Sequence, residues 1–564
     1  GCVIFMSSSK EKLDPNELCF IPLGGSEQFG VNLNVYAYKD TYLAVDLGLG
    51  FADHRFPGID LLLPDVAYLD DKLDKLEGLV ITHAHEDHIG AVPYLWPRLQ
   101  CPIYCSEFTA AVLRRKFEEA KDCKSAEIIV IKPGDEVKLG EFKLGFIHVA
   151  HSIPQAVSLS IETDQGVVLH SGDWNLDPTP VLGAVSDEKA FKALGKKGVL
   201  AYIGDSTNSA VPGRAGSEAE VEKGLEAVFK ECKGRIAVTT FSSNISRIIS
   251  IVRAAEACGR SVCVIGRSMH NMMGAARDCG FMHDVPGFVQ EEDMDRLAVD
   301  QQVYVVTGSQ GEARAALARI ARGDFRGVDL GRGDTVVFSA REIPGNEKDI
   351  NTVKNDLIAA GVQVIDPDST DHTIHVSGHP YMDEVVDMFG WVKPQIVVPV
   401  HGERMQLEAQ ARLARKCQIK NVLVPTNGSV VRLSGKPAII DHVETGLYAV
   451  DMGKVISADH AAIRERRKLQ YTGVIHASVA LDDRGDLLAD PQVDLLGLID
   501  ADDKEEATLI EDLENEIADI LSDMLREDRQ NDHMVQEELR IGIRRYVNMV
   551  LSLKPKTTVH VMRV

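Results

Sequence analysis

The stretch "VITHAHEDHIG", residues 80–90, decides how the rest of this chain is read. The apolar residues of "GLVITH" (78–83) predict a strand, and the positions that follow supply His83, His85, Asp87 and His88. Alternate side chains leaving a strand point the same way, so His83 and His85 are placed to grip one metal ion. Asp87 and His88 lie past the turn and reach towards a second ion beside the first. Ligand-type residues packed this densely on a strand-to-helix turn suit neither an apolar core nor a solvated loop.

Working outward, three later positions have matching contexts. His151 follows the predicted strand "LGFIHVA", Asp173 ends "VVLHSGD", and His401 lies in "IVVPVHG". Each sits at the C-terminal end of a predicted strand, where α/β sites gather. A lone histidine there is more often structural than a ligand, but added to the first cluster the three complete two coordination shells. Asp46, in "LAVDLG", is expected to orient a histidine ligand from behind rather than to bind metal. His148 and His170 are read as structural or supporting. Mixed imidazole and carboxylate donors suit zinc, with manganese as the alternative. Two ions sharing Asp173 would hold a bridging hydroxide formed near neutral pH and would neutralise a phosphorane-like transition state. No G-x-S-x-G motif offers a protein nucleophile, which favours direct attack by that hydroxide.

The pattern around these residues divides the chain. From Cys19 to about Leu200, short β-rich runs such as "LNVYAY" (33–38) and "FKLGFIHVAH" (142–151) predict a layered α/β domain. From about Thr207, helical stretches near 217–232 and 244–258 alternate with "RIAVTTF" (235–241), "SVCVIG" (261–266) and "QVYVVTG" (302–308), the rhythm of a doubly wound parallel sheet. Short strands return near 394–402, so the middle region reads as an insertion. The expected boundaries are an N-terminal extension 1–18, a first domain 19–206 completed by 366–446, an inserted domain 207–365, a linker 447–469 and a small α+β C-terminal domain 470–564. In that last domain "GVIHASVALDDRGDLL" (473–488) predicts a hairpin turning at Asp482–Gly485. Leu509, Leu513, Ile517, Ile520, Leu521 and Met524 then recur at helical spacing, leaving the acids on the other face.

Composition sets limits. A chain of 564 residues, 45% apolar and 26% charged, is globular and holds several domains. No apolar run is long enough to span a membrane, and residues 1–15 lack the basic and apolar regions of a signal peptide, so a cytoplasmic location is expected. The opening "GCVIF" before Met6 is read as a remnant or an upstream extension of the true start. The ten cysteines show no paired CxxC spacing and are read as reduced, mostly buried thiols. The net charge of −24 argues against non-specific attachment to nucleic acid. Much of the excess lies in residues 501–540, with 15 Asp and Glu against four Lys and Arg, so a local basic channel or phosphate capture by metal ions is not excluded.

With these residues in view, the chain resembles the metallo-β-lactamase superfamily, its β-CASP nucleic-acid-processing branch, and specifically the ribonuclease J family. The likeness runs in order through "HAHEDHIGA", "HSIP", "GDSTN" (204–208), "TTFSSN" (239–244), "GRSM" (266–269), "TGSQGE" (307–312), "IPGNE" (343–347), "HVSGH" (375–379) and "PVHGE" (399–403). It implies an αββα sandwich with an inserted doubly wound β-CASP domain. It also implies that His83, His85 and His151 hold one zinc, that Asp87, His88 and His401 hold the other, and that Asp173 bridges. Asp205 matches the acidic β-CASP motif, and His379 a histidine acting near the leaving oxygen, plausible as a general acid. His375, Val376, Ser377 and Gly378, together with His379, Ser243 and Asn244, match a pocket for a nucleotide phosphate, a role that exposed amides and hydroxyls suit.

The resemblance further implies 5′-to-3′ exonuclease and endonuclease activity on single-stranded RNA, preferably 5′-monophosphorylated, in RNA decay and ribosomal RNA maturation. Dimers or tetramers and a place in an RNA-degradation complex are implied partners. Gln28, Ser246 and His270 depart from the usual family residues without removing a ligand. A β-CASP endonuclease or DNA nuclease is the alternative; a small-molecule metallohydrolase would not need the insertion, and a non-catalytic scaffold would not need every ligand.

Overall fold

The structure, a computed structural model, describes residues 13–500 and 502–564. Most of the expected extension 1–18 lies outside the described residues, whereas Leu18 is already core. The described chain forms two compact units: residues up to Gly50 with Leu63–Leu447, and Phe51–Leu62 with Tyr448–Val564.

The first unit contains two mixed sheets with a shared core. The eight-stranded sheet includes Cys19–Gly24, Leu33–Tyr38, Thr41–Val45 and Leu76–Val80. The seven-stranded sheet includes Phe142–His148, Val157–Thr163, Gly166–His170, Ala201–Asp205 and Ile396–Val400. Phe20, Tyr36, Leu43 and Val80 from one meet Leu144, Leu159, Val168, Ile203 and Val398 from the other in a single buried cluster. The other face of the second sheet packs Leu169, Tyr202 and Val397 against Phe191, Val385, Met388 and Leu413, which belong to the helices Glu188–Lys197, Met382–Val392 and Arg404–Lys416. Burying apolar side chains on both faces requires this layering, because either sheet alone would leave one face in water.

The inserted domain leaves after Ala201–Asp205 and returns at Ile396–Val400, and these two strands are neighbours, paired in parallel with Asp205 opposite Val400. Between them lies a five-stranded, wholly parallel sheet in the order Ser261–Ile265, Gln302–Val306, Ile236–Thr239, Thr335–Phe338, Gln363–Ile365. Helices Glu218–Glu231 and Ile245–Ala257 carry the expected crossovers. The chain therefore adopts the metallo-β-lactamase fold with a β-CASP insertion and a C-terminal domain.

In the second unit Val474–Leu481 is flanked by Gln492–Leu496, antiparallel, and Lys556–Arg563, parallel. The turn at Asp482–Gly485 is present, but after a bridge at Leu487 the ladder resumes only at Gln492. Leu509, Leu513, Ile517 and Leu521 are buried along Lys504–Asp523 and pack with the sheet and with Asp532–Leu551. The segment 447–469, expected as a linker, is folded: Leu447–Asp451 and Lys454–Ser457 form a hairpin, and Ala461–Thr472 is a helix. The only buried side chain of that helix is Ile463, so the charged sequence showed no apolar stripe from which to read it. Leu513→Ala, which empties a fully buried site, should cost about 2–5 kcal/mol of local stability. Faster hydrogen exchange across 474–564 in the full chain, with bound metal unchanged, is the expected result.

Candidate metal centre

The strand Leu76–Val80 stops earlier than the sequence predicts, because Thr82 leaves the ladder. Its N–H donates to Asp46 Oδ1 (2.8 Å) and its hydroxyl to Asp46 Oδ2 (2.9 Å). His85 then begins the single helical turn Glu86–Ile89, which carries Asp87 and His88. Gly48 packs so closely beneath this turn that a Cβ would stand 1.5 Å from the Asp87 carbonyl oxygen, so only glycine fits there. Asp46 and His401 both follow strand ends with left-handed backbone (φ 64° and 57°). Non-glycine residues seldom adopt that conformation, and here it turns both side chains onto one spot.

Seven side chains converge. Asp173 Oδ2 lies 3.5 Å from His83 Nε2, 3.2 Å from His88 Nε2, 3.7 Å from His151 Nε2 and 3.4 Å from His401 Nε2. His85 Nδ1 is 3.1 Å from His151 Nε2, and Asp87 Oδ2 is 3.1 Å from His401 Nε2. Two candidate ligand groups result, His83–His85–His151–Asp173 and Asp87–His88–Asp173–His401, with Asp173 common to both. A third grouping joins Asp173 and His401 to Asp205 and His379.

The far nitrogens of four of the five rings are accounted for, and this sets which nitrogen faces inward. With the Thr82 hydroxyl given to Asp46, His83 Nδ1–H donates to Thr82 Oγ1 (3.0 Å). His88 Nδ1–H donates to Asp46 Oδ2 (2.7 Å), His151 Nδ1–H to the Gly378 carbonyl (2.7 Å) and His401 Nδ1–H to Thr207 Oγ1 (2.8 Å). In its neutral form each of these rings presents a bare Nε2 to its neighbours, the form that binds a metal ion. His83 Nε2 is buried with no hydrogen-bond partner, a deficit that a cation would meet. The donor set fits a pair of divalent ions.

The electrostatics divide the cluster. Burial pushes His85 down to about 4 and His151 to about 3; burial and the nearby His88 hold His83 well below the ordinary range. These rings are neutral, ready as ligands. Burial also opposes charge on His88 and His401, but the carboxylates of Asp173, Asp87 and Asp46 around His88, and of Asp173, Asp205 and Asp87 around His401, outweigh it and raise both well above the usual range. Despite burial, His88 and His401 in turn keep Asp87 and Asp173 ionised, and His379 with His401 does so for Asp205.

Beside the centre, His379 Nδ1–H donates to Asp205 Oδ2 (2.7 Å). Asp205 raises its pKa against the opposing effect of burial. Val376, Ser377 and Gly378 line a cavity with His151, Ser152 and Ser246. Ser243, Asn244 and His375 are outside that lining, and the Asn244 side chain caps helix Ile245–Ala257 by accepting from Arg247 N–H. His148 Nε2–H donates to the Ala184 carbonyl (2.9 Å), and His170 Nδ1 bonds the Tyr36 hydroxyl (2.8 Å) beneath the site. Sequence reading missed Asn32, whose amide donates to the Asp87 carbonyl (2.9 Å), and Thr82, Thr207 and Asn208. All four lie inside or beside motifs already quoted, but only the fold shows what their short polar side chains reach. Among the described residues, no helix is long and apolar enough to cross a membrane.

Comparison with known proteins agrees with this architecture. Residues 49–188 match the model of a beta-lactamase superfamily domain and 233–357 that of the ribonuclease J beta-CASP domain. Residues 371–425 match a Zn-dependent metallo-hydrolase RNA specificity domain, and 461–564 the ribonuclease J C-terminal domain. The chain is 42% identical to a ribonuclease J of Sinorhizobium meliloti over 97% of its own length and 98% of the relative's. It is 37% identical to a ribonuclease J of Synechocystis over 86% of this chain and 76% of that one. A crystal structure of a protein of unknown function from Enterococcus faecalis superposes with a TM-score of 0.52 at 18% identity, over 74% of this chain and 100% of the other, a likeness of fold.

Asp46→Asn removes the carboxylate that holds His88 and, through Thr82, His83. It should weaken metal binding about 10–100-fold. Competition against a chromogenic chelator measures this; an unchanged affinity would remove Asp46 from the centre.

Proposed function

This chain belongs to the ribonuclease J family and is a metal-dependent ribonuclease; from that premise we propose that it degrades single-stranded RNA from the 5′ end and also cuts internally. The carrying observation is that the cavity lined by Val376, Ser377 and Gly378 opens at His151, one of the converging ligands. A terminal phosphate seated there sets the first internucleotide linkage beside the metal ligands, which makes cleavage depend on the end.

His83, His85 and His151 are assigned to one zinc, Asp87, His88 and His401 to a second, with Asp173 shared and manganese as the alternative. When bound, such a pair supplies a nucleophile at neutral pH and positive charge against the transition state. The remaining work belongs to the protein. Ser377 Oγ accepts from Asn208 and from the His379 N–H (2.8 and 3.1 Å), so its own hydrogen is free for a phosphate oxygen. The acids in the lining are already committed: Asp177 accepts from the N–H groups of Thr179 and Glu218, and Glu218 pairs with Arg247. His379, held by Asp205 through Nδ1, keeps Nε2 to deliver a proton to the leaving sugar oxygen. A cytoplasmic role in RNA decay and ribosomal RNA maturation, as a dimer or tetramer and in an RNA-degrading complex, belongs to the same reading.

Product lengths from 3′-labelled RNA carrying a 5′-monophosphate or a 5′-triphosphate test the end dependence. Stepwise shortening that prefers the monophosphate is expected, and Ser377→Ala should erode that preference more than internal cutting. Internal fragments indifferent to the end would make the protein an endonuclease. His379→Ala should lower kcat by about 10²–10⁴ with metal content and RNA affinity retained; lost RNA binding alone would contradict an acid role.

A further inference from the structure

The cavity lined by His151 and Ser377 is lined as well by Gln155, Ser246 and Phe281, which a terminal phosphate leaves without an occupant. Phe281 is half-buried, and its ring is backed by that of Phe108, with centroids 6.2 Å apart and planes tilted by 48°. Phe108 is fully buried in helix Glu107–Glu119. One wall of the cavity is therefore an aromatic ring supported by the core, and Ile153, Pro154 and Leu182 extend the apolar lining.

Gln155 is the polar counterpart. Its Oε1 accepts from the Phe108 N–H (2.8 Å). A backbone N–H only donates, so the amide must present its oxygen there, which settles the orientation of the group and leaves Nε2 with two N–H donors. Among the described residues Nε2 has no hydrogen-bond partner, and it is not sealed from solvent. The backbone of Gln155 is left-handed (φ 57°), a conformation that a residue with a Cβ seldom adopts and that the surroundings must hold in place. Ser246, in helix Ile245–Ala257, is half-buried. The two acids of the lining, Asp177 and Glu218, are engaged with backbone N–H groups and with Arg247, so they leave the Gln155 donors uncontested.

The geometry points to a base-reading subsite in this cavity: Phe281 stacks the base of the 5′-terminal nucleotide, and Gln155 Nε2 donates to a keto oxygen on its edge. This rests on the 5′-end reading proposed above and adds to it which first nucleotide is taken best. An aromatic wall accepts any base, since every base has a π-face. A fixed N–H donor discriminates. Guanine O6 and uracil O4 accept from it, whereas the amino groups at adenine N6 and cytosine N4 meet it donor to donor. The Ser246 hydroxyl both donates and accepts, so it serves either class of base. Affinity lies with Phe281 and specificity with Gln155.

Four 3′-labelled, 5′-monophosphorylated RNAs, alike except that the first nucleotide is uridine, guanosine, cytidine or adenosine, test this with the full chain loaded with metal. For release of the first nucleotide, kcat/KM should be about three- to tenfold higher for uridine and guanosine than for cytidine and adenosine. Gln155→Glu keeps an acceptor for the Phe108 N–H and exchanges the donor for a second acceptor, so the order should invert in favour of adenosine and cytidine. Phe281→Ala should raise KM for all four RNAs about tenfold and leave the keto preference in place. An RNA with an abasic first nucleotide separates recognition from packing: Phe281→Ala should cost it little, whereas a merely structural role would slow it as much as the others. With dependence on the 5′-monophosphate intact, equal rates for the four RNAs, an unchanged order in Gln155→Glu, or an equal loss on the abasic RNA would overturn the inference alone. Indifference of the wild type to monophosphate against triphosphate would instead overturn the 5′-end reading itself. Should Phe281→Ala fail to fold, the orders measured for the wild type and Gln155→Glu decide.

Discussion

Asp173 Oδ2 lies within reach of Nε2 atoms from His83, His88, His151 and His401, and the first unit's architecture is organised to make that crowding tolerable. Five imidazoles and two carboxylates, buried or half-buried, would ordinarily be a costly thing to collect in one place. The cost is held down by giving the far nitrogens of four rings a partner, so that Asp46, Thr82, Thr207 and the Gly378 carbonyl fix those rings from behind. In front, His83 Nε2 is buried with no hydrogen-bond partner. That asymmetry, satisfied behind and bare in front, separates a binding centre from a polar core.

The insertion is part of the same constraint. His379 and His401 lie on the far side of the inserted domain in sequence, yet Asp205 and Val400 are opposite one another on adjacent strands. The chain must leave and re-enter the seven-stranded sheet at neighbouring positions, or the second ligand group loses His401. Pairing of Asp205 with His379, and the tether from Arg247 to His375, hold the returning segment in register beyond what the strand ladder fixes. The inserted domain and the chain that completes the metal centre are thus one continuous piece of backbone.

Much of this was legible beforehand. The ligand residues announce themselves because histidine and aspartate are uncommon at strand ends and cannot all be core. The parallel βα rhythm of 235–308 announces the insert through apolar runs that only a sheet covered on both faces can bury. The supporting residues were not legible. Asn32, Thr82, Thr207 and Arg247 act through contacts to residues 36 to 194 positions away, and neither composition nor spacing records such a relation. The helix Ala461–Thr472 escaped for the opposite reason, since a segment that buries only Ile463 leaves no periodic trace.

The net charge of −24 looks ill-suited to a polyanionic substrate until the anion site is considered by itself. Lysine and arginine bind a nucleic-acid backbone through charge, at any register and with strong salt dependence. Among the described residues no lysine or arginine lines the cavity at Val376–Gly378, and Arg247 is already matched by Glu218. What remains are hydroxyls, amides and the positions assigned to the metal ions. Such donors distinguish a terminal phosphate from an internal linkage by the number and direction of the oxygens it offers, not by charge alone. On the reading proposed above, a net negative charge limits non-specific attachment along the RNA and leaves recognition to these directional donors and the metal positions.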